Sequence, residues 1–211
     1  MDPRKRQKKL ERRKAKQKAE RRELARRDSR GLSAQLQQAS AAPILHCCTT
    51  AEIWREGIGH VLISRELPGG NVAFAVFLVD IYCLGVKDVF MDITPRARYD
   101  GDLYGKLARR SALMQLKPEG ARKLVEGAVQ YALDWGLPPH ADYRTAKLIF
   151  GNISAEACAE EYTFGKDGKP FFIAGPRDNP VRCEQILRAL RNRCGPEGYH
   201  FLIPSGGPLP M

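Results

Sequence analysis

The chain has 211 residues, and its formal net charge of +11 is concentrated at one end. Residues 1–30 carry 15 Lys or Arg against 5 Asp or Glu, a net of +10, whereas residues 31–211 carry 20 against 19, a net of +1. The second section is large enough for one domain with its own core. The longest apolar run, Val72 to Val79, has eight residues, which excludes a membrane-spanning helix.

The basic arm, residues 1–32, predicts a polyanionic partner. Its helix propensity is high, but its two leucines, Leu10 and Leu24, are too far apart to form an apolar stripe. Because the arm has no aromatic residue, we expect sequence-independent phosphate contacts with nucleic acid, RNA more than DNA. The residues expected to make these contacts are Arg4, Lys5, Arg6, Lys8, Lys9, Arg12, Arg13, Lys14, Arg21, Arg22, Arg26 and Arg27.

Other roles fit the same charge. The arm could be a solubilising tail, a nuclear address signal, or a segment attracted to an anionic membrane surface. The first 30 residues lack the apolar stretch of a secretory signal, and their acidic residues argue against a transit peptide. The pattern therefore favours a cytoplasmic protein.

The next segment, 33–42, is small and polar and predicts a linker to a globular domain at 43–204. The first half of that domain predicts mainly strands. Pro68, Gly69 and Gly70 separate two strand-like runs and indicate a hairpin, whose second strand is apolar on both faces and is expected at the centre of the sheet. The expected strands are 44–49, His60 to Leu67, Asn71 to Val79 and Lys87 to Ile93, followed by a mostly helical stretch to about Leu116.

The second half predicts mainly helices. One runs between Pro118 and Gly136, a shorter one from Asp142 to Phe150, and a third between Asn179 and Gly195. Asp167 and Gly168 indicate the tight turn of a second hairpin, within Tyr162 to Ala174. A final strand at Tyr199 to Ile203 and a tail at 205–211 complete an α+β domain with a mixed or antiparallel sheet and packed helices.

Cysteine usage predicts buried free thiols. The six cysteines are sparse, and nothing points to an oxidising compartment. His46, Cys47, Cys48 and Cys83 are zinc-ligand residue types, but adjacent strand residues point to opposite faces, and no CxxC or HxxxH pair exists. We predict neither a metal site nor a cofactor.

A carboxylate at the end of the expected central strand, Asp80, is the candidate for catalysis. Lys87, Asp88 and Asp92 follow closely, and a metal-dependent hydrolase or nuclease centred on Asp80 is therefore an alternative function. Asp80 equally fits a turn cap, with Lys87 neutralising its charge, and this structural interpretation is favoured. A third possibility is a protein-interaction module with a solubilising tail.

The remaining candidates are single features. The stretch GKDGKP, Gly165 to Pro170, lacks the Ser or Thr and the helix of a phosphate-binding loop, which favours a turn. His140 and His200 have no partner in the sequence that would make a catalytic triad.

Two stretches carry a resemblance to a known family. They are AVFLVDIYCLGVKDVF, Ala75 to Phe90, and TFGKDGKPFFIAGPRDNP, Thr163 to Pro180. There the chain resembles a family of uncharacterised bacterial proteins that share a Lys- and Arg-rich start. The resemblance implies a bacterial, cytosolic setting, and it implies no activity and no site residues.

Overall fold

Five antiparallel strands organise the fold. The structure is a computed structural model that describes residues 31–176 and 178–203. The main sheet has the order β4-β3-β2-β1-β5, and a second sheet pairs β6 with β7 in parallel. The strands are β1 Ile44–Thr50, β2 Ile58–Leu67, β3 Asn71–Asp80, β4 Gly85–Pro95, β5 Leu113–Gln115, β6 Phe171–Ile173 and β7 His200–Leu202. Together with the helices below, they confirm the α+β class.

The predicted hairpin forms between β2 and β3, and β3 lies inside the sheet. The pairing runs from Ile58 opposite Asp80 to Leu67 opposite Asn71. Because successive residues of a strand face opposite ways, β3 contributes Phe77 to the core on one face and Phe74 to the core on the other. The expectation that this strand is covered on both sides is confirmed, but the middle strand of the sheet is β2, and β3 lies between it and the edge strand β4.

Helices cover one face of the sheet. The longest, α5 Pro118–Asp134, begins with Pro118 and buries one stripe of small and branched residues against the sheet. A Cβ on Gly85 would lie 2.8 Å from the main-chain oxygen of Ala128, so this glycine permits the close approach of helix and strand. The helix α6 Tyr143–Ala146 and the 3₁₀ turn Lys147–Phe150 complete this layer.

A further helix stands where the sequence predicted a linker. Residues 31–39 are helical, and this described part of α1 buries Leu36 and Ala39 in the main core. The expectation of a linker over 33–42 is wrong for most of its length. The reason is the spacing of Leu32, Leu36 and Ala39, which places all three on one helix face.

The opposite face is covered by a continuous helical segment at 96–110. It comprises α3 Arg96–Arg98, a π-helical turn Tyr99–Tyr104 and α4 Gly105–Arg110. A π-helical turn brings residues five apart onto one face, so Tyr99 and Tyr104 both reach His46. The Nδ1 atom of His46 lies 2.9 Å from the hydroxyl of Tyr99, which donates to Oγ of Ser64 at 2.8 Å. The helix ends before β5, earlier than the sequence predicted.

The C-terminal part forms a smaller core beside the sheet. Helix α7 Pro180–Cys194 starts with Asn179, whose side chain accepts from the main-chain N–H of Arg182 at 2.9 Å, as the sequence predicted. It packs on Phe172 and Leu84. The short helix α2 Ile53–Glu56 precedes β2. Among the described residues, no helix is long and apolar enough to cross a membrane.

The second predicted hairpin is only partly present. Asp167 and Gly168 have φ values of 53° and 75°, as the expected tight turn requires, and the main chains of Lys166 and Lys169 bond across it. The strand that follows, β6, instead pairs in parallel with β7. Pro170, just before β6, has no N–H to extend the hairpin, and its carbonyl oxygen accepts from His200 N at 2.9 Å.

Candidate nucleic-acid interface

Rings and lysines from three separate segments meet at one surface of the described domain. Tyr82 lies in the β3–β4 loop at 81–84, Lys166 and Lys169 flank the tight turn, and Phe171 and His200 face each other across β6 and β7. We call these five residues the ring–lysine surface. It combines aromatic faces with cationic groups, the two chemistries with which proteins hold single-stranded nucleic acid.

The rings are arranged in a row. The ring centroids of Tyr82 and Phe171 are 6.3 Å apart with the planes 27° apart. The centroids of Phe171 and His200 are also 6.3 Å apart, with the planes nearly perpendicular at 84°. The Nζ atom of Lys166 lies 5.8 Å from the centre of the Tyr82 ring and 5.2 Å from that of Phe171. Lys166 therefore covers the two rings with a cation–π contact.

Main-chain bonds hold the row in place. The N–H of Phe171 donates to the carbonyl oxygen of Tyr82 at 3.0 Å. The hydroxyl of Tyr82 donates to the main-chain carbonyl oxygen of Arg55 at 3.2 Å. Gly57 packs under the ring of Tyr82 so closely that a Cβ would overlap it. Lys169 Nζ donates to the carbonyl oxygen of Glu197 at 2.8 Å, whereas the Nζ atom of Lys166 lies over the rings of Tyr82 and Phe171. Lys166 is exposed, and its amino group is the cation that lies over the two rings.

Asp80 supports this surface. Its Oδ1 atom accepts from the main-chain N–H groups of Tyr82 at 3.0 Å and Cys83 at 2.9 Å, which fixes the loop. Asp80 is 6% exposed, and burial raises its pKa to about 6, although the charge of Lys87 and the main-chain N–H groups act in the opposite direction. The geometry is that of a turn cap.

The other residues of the hydrolase hypothesis point to different partners. Lys87 Nζ lies 3.3 Å from Oδ2 of Asp178. Asp88 accepts from the N–H of Val89 and lies 3.8 Å from Nε2 of His140, and Asp92 accepts from the N–H of Ile93. Within 31–176 and 178–203, no three His, Cys, Asp or Glu side chains are grouped so that they could hold a metal ion.

The residues first considered as zinc ligands are likewise separated. Cys47 lies in the core under α5 and Cys48 in the core under the 96–110 helix, on opposite faces as expected. Burial raises the pKa of Cys47 to about 12 and that of Cys48 to about 11. All six cysteines are free, and five are buried. The prediction of buried free thiols is confirmed for these five.

The chain matches no protein-family model, no curated protein and no solved structure.

The twelve arm residues predicted to contact phosphates, Arg4 to Arg27, lie outside the described residues. Tyr82 and Phe171 were not among the residues predicted to bind nucleic acid. Phe171 has a local signal, since Lys166 and Lys169 flank the turn and Phe171 and Phe172 follow Pro170, whereas Tyr82 has no such signal.

Proposed function

We propose that this protein is a non-enzymatic nucleic-acid-binding protein that uses its basic arm as an electrostatic anchor, with RNA favoured over DNA. The observation that carries the proposal is the separation of charge: +10 in the first 30 residues and +1 in the other 181. A domain with almost balanced charge does not need a polycationic segment for its own stability. Phosphates are the groups that such a segment neutralises best.

The described domain adds a second element. The ring–lysine surface offers aromatic faces, which the arm lacks, beside the exposed Lys166. The arm would supply affinity without base selection, and the domain would supply selection. We place this function in the cytoplasm, because six free cysteines fit a reducing compartment.

Salt dependence gives the proposal a quantitative form. If the arm neutralises roughly six to ten phosphates, the binding constant should fall about 10³- to 10⁵-fold between about 50 and 200 mM salt. Without the arm, the dependence should be shallow, because residues 31–211 have a net charge of only +1 and would neutralise few phosphates.

The test compares the full chain with a variant that lacks residues 1–30. The deletion stops there because Leu36 and Ala39 of α1 belong to the core. Fluorescence anisotropy with single-stranded RNA, duplex DNA and heparin should show tight binding that needs the arm and that prefers a nucleic acid to heparin. Unchanged affinity of the deletion variant at about 150 mM salt refutes the anchor role. Equal affinity for all three polyanions reduces the arm to generic charge.

A further inference from the structure

We propose that the ring–lysine surface binds unstacked bases and so makes the protein prefer single-stranded nucleic acid to a duplex. This inference rests on the proposed function, because the arm supplies the attraction that brings the strand to the surface. It adds the substrate class and names the residues that select it.

The surface has the composition of a stacking platform. Tyr82 and Phe171 are half-buried, so each ring is anchored and still reaches solvent. Ile173 and Leu202 lie on the same face of the small sheet as Phe171 and His200, since residues two apart in a strand share a face. Leu202 is 53% exposed. The rings therefore continue into an apolar patch that a base can cover.

The spacing of the rings determines which bases fit. Successive centroids are 6.3 Å apart, whereas the nucleotides of a duplex strand advance by about 3.4 Å. Bases in a duplex also cover one another's faces. Neighbouring bases can therefore contact neighbouring rings only when the strand is unstacked, as in single strands and loops.

The amino group of Lys166 can give up its place over the rings to a base and pair with a phosphate. Its amino group now lies over both rings, on an exposed turn. A base that stacks on Phe171 would displace this cation from the ring, and the adjacent phosphate of the strand offers it a stronger partner. The turn also carries Asp167, so the local charge excess is small. This favours a division in which the arm attracts the strand and the rings distinguish its form.

The experiment uses the full-length protein with single-stranded RNA and a duplex of equal length at about 150 mM salt. The variants are Phe171→Leu and Lys166→Gln. Phe90→Leu replaces a ring that is 55% exposed elsewhere on the sheet, and Lys147→Gln removes a lysine that lies 5.7 Å over the ring of Tyr143. These two are matched controls.

Phe171→Leu should weaken single-strand binding about fivefold or more, the effect of losing one base–ring stack. Lys166→Gln should weaken it in the same direction, while duplex binding and both controls stay close to the wild type. Photocrosslinking of the wild type to RNA that contains 5-iodouridine should modify Tyr82 or Phe171, and this readout remains valid if Phe171→Leu does not fold.

Equal losses on single strand and duplex, no loss beyond the controls, or crosslinks confined to other residues would each overturn the inference. The inference would also be overturned if Phe171→Leu weakened binding to anionic vesicles or to polyglutamate as much as it weakened binding to the single strand. If Phe171→Leu binds RNA as tightly as the wild type and this binding still needs the arm, the further inference is wrong and the proposed function is retained. Unchanged affinity after deletion of residues 1–30 overturns the proposed function itself.

Discussion

Arg65 should be a major determinant of stability, although it carries a charge into the core. The side chain is on β2 and only 5% exposed. Its guanidinium donates to three main-chain oxygens: Nη1 to Ala42 at 2.6 Å, Nε to Ile149 at 2.8 Å and Nη2 to Phe150 at 3.1 Å. These bonds connect the segment just before β1 and the 3₁₀ turn to β2, the middle strand of the sheet.

The magnitude of an Arg65→Met substitution follows from those three acceptors. Methionine fills part of the volume but leaves the carbonyl groups without a donor, and each buried unsatisfied group costs about 1–3 kcal/mol. Water can reach the half-buried Ala42, so the acceptors of Ile149 and Phe150 determine the cost, and we expect a total loss of about 2–6 kcal/mol in the free energy of unfolding. Single domains have about 5–15 kcal/mol in all.

Urea unfolding followed by circular dichroism measures this loss. Arg98→Met is the matched control, because the Arg98 side chain is 73% exposed and its Nε lies 3.9 Å from Asp102. The control should change the free energy by under about 0.5 kcal/mol. Arg65→Lys should lose less than Arg65→Met, since one donor group can still reach one carbonyl. If Arg65→Met behaves like Arg98→Met, the three bonds do not stabilise the fold and the reasoning is wrong.

Asp80→Asn keeps an oxygen for the two loop N–H groups and removes a buried charge, so it should lower the free energy of unfolding by under about 1 kcal/mol. Asp80→Ala leaves those N–H groups without an acceptor and should lower it by about 1–3 kcal/mol. Equal losses for the two variants in urea unfolding contradict the capping role. Burial, followed by the charge of Arg110, lowers the pKa of His60, so the unfolded state binds more protons below about pH 6.5. The wild type should therefore lose stability relative to His60→Gln as the pH falls from about 7.5 to 5.5, and a difference that stays constant argues against this. Gly57 and Gly69 both have positive φ, of 76° and 80°, but only Gly57 faces the ring of Tyr82, so Gly57→Ala should destabilise the protein more than Gly69→Ala. Comparing the thermal unfolding of the two variants separates backbone strain from overlap with Tyr82.

Local signals in the sequence predicted the elements that local physics determines. Pro118 and Gly136 delimit α5, and Asn179 and Gly195 delimit α7, because caps and breakers act within a few residues. The hairpin of β2 and β3 follows in the same way from its turn and from apolar runs that are adjacent in the sequence.

Features that depend on distant partners were not predicted. The described part of α1, residues 31–39, has two leucines and an otherwise small, polar composition, and it packs on a core that distant strands and helices supply. The parallel pairing of Phe171 with His200 joins segments on either side of α7. The ring–lysine surface needs both that pairing and a loop from the first half of the domain. No periodicity within one segment contains this information.

Asp80 shows how a catalytic pattern and a structural role can share one sequence signature. A carboxylate that ends a buried strand is held rigidly, which suits a catalytic acid and suits a loop anchor equally well. The N–H groups of Tyr82 and Cys83 favour the loop anchor, because both donate to the Oδ1 atom of Asp80, and the amino group of Lys87 is paired with Asp178. The loop so anchored carries Tyr82 to the face of Phe171. By fixing the loop, Asp80 therefore holds in place the ring of Tyr82, which we propose contacts a base.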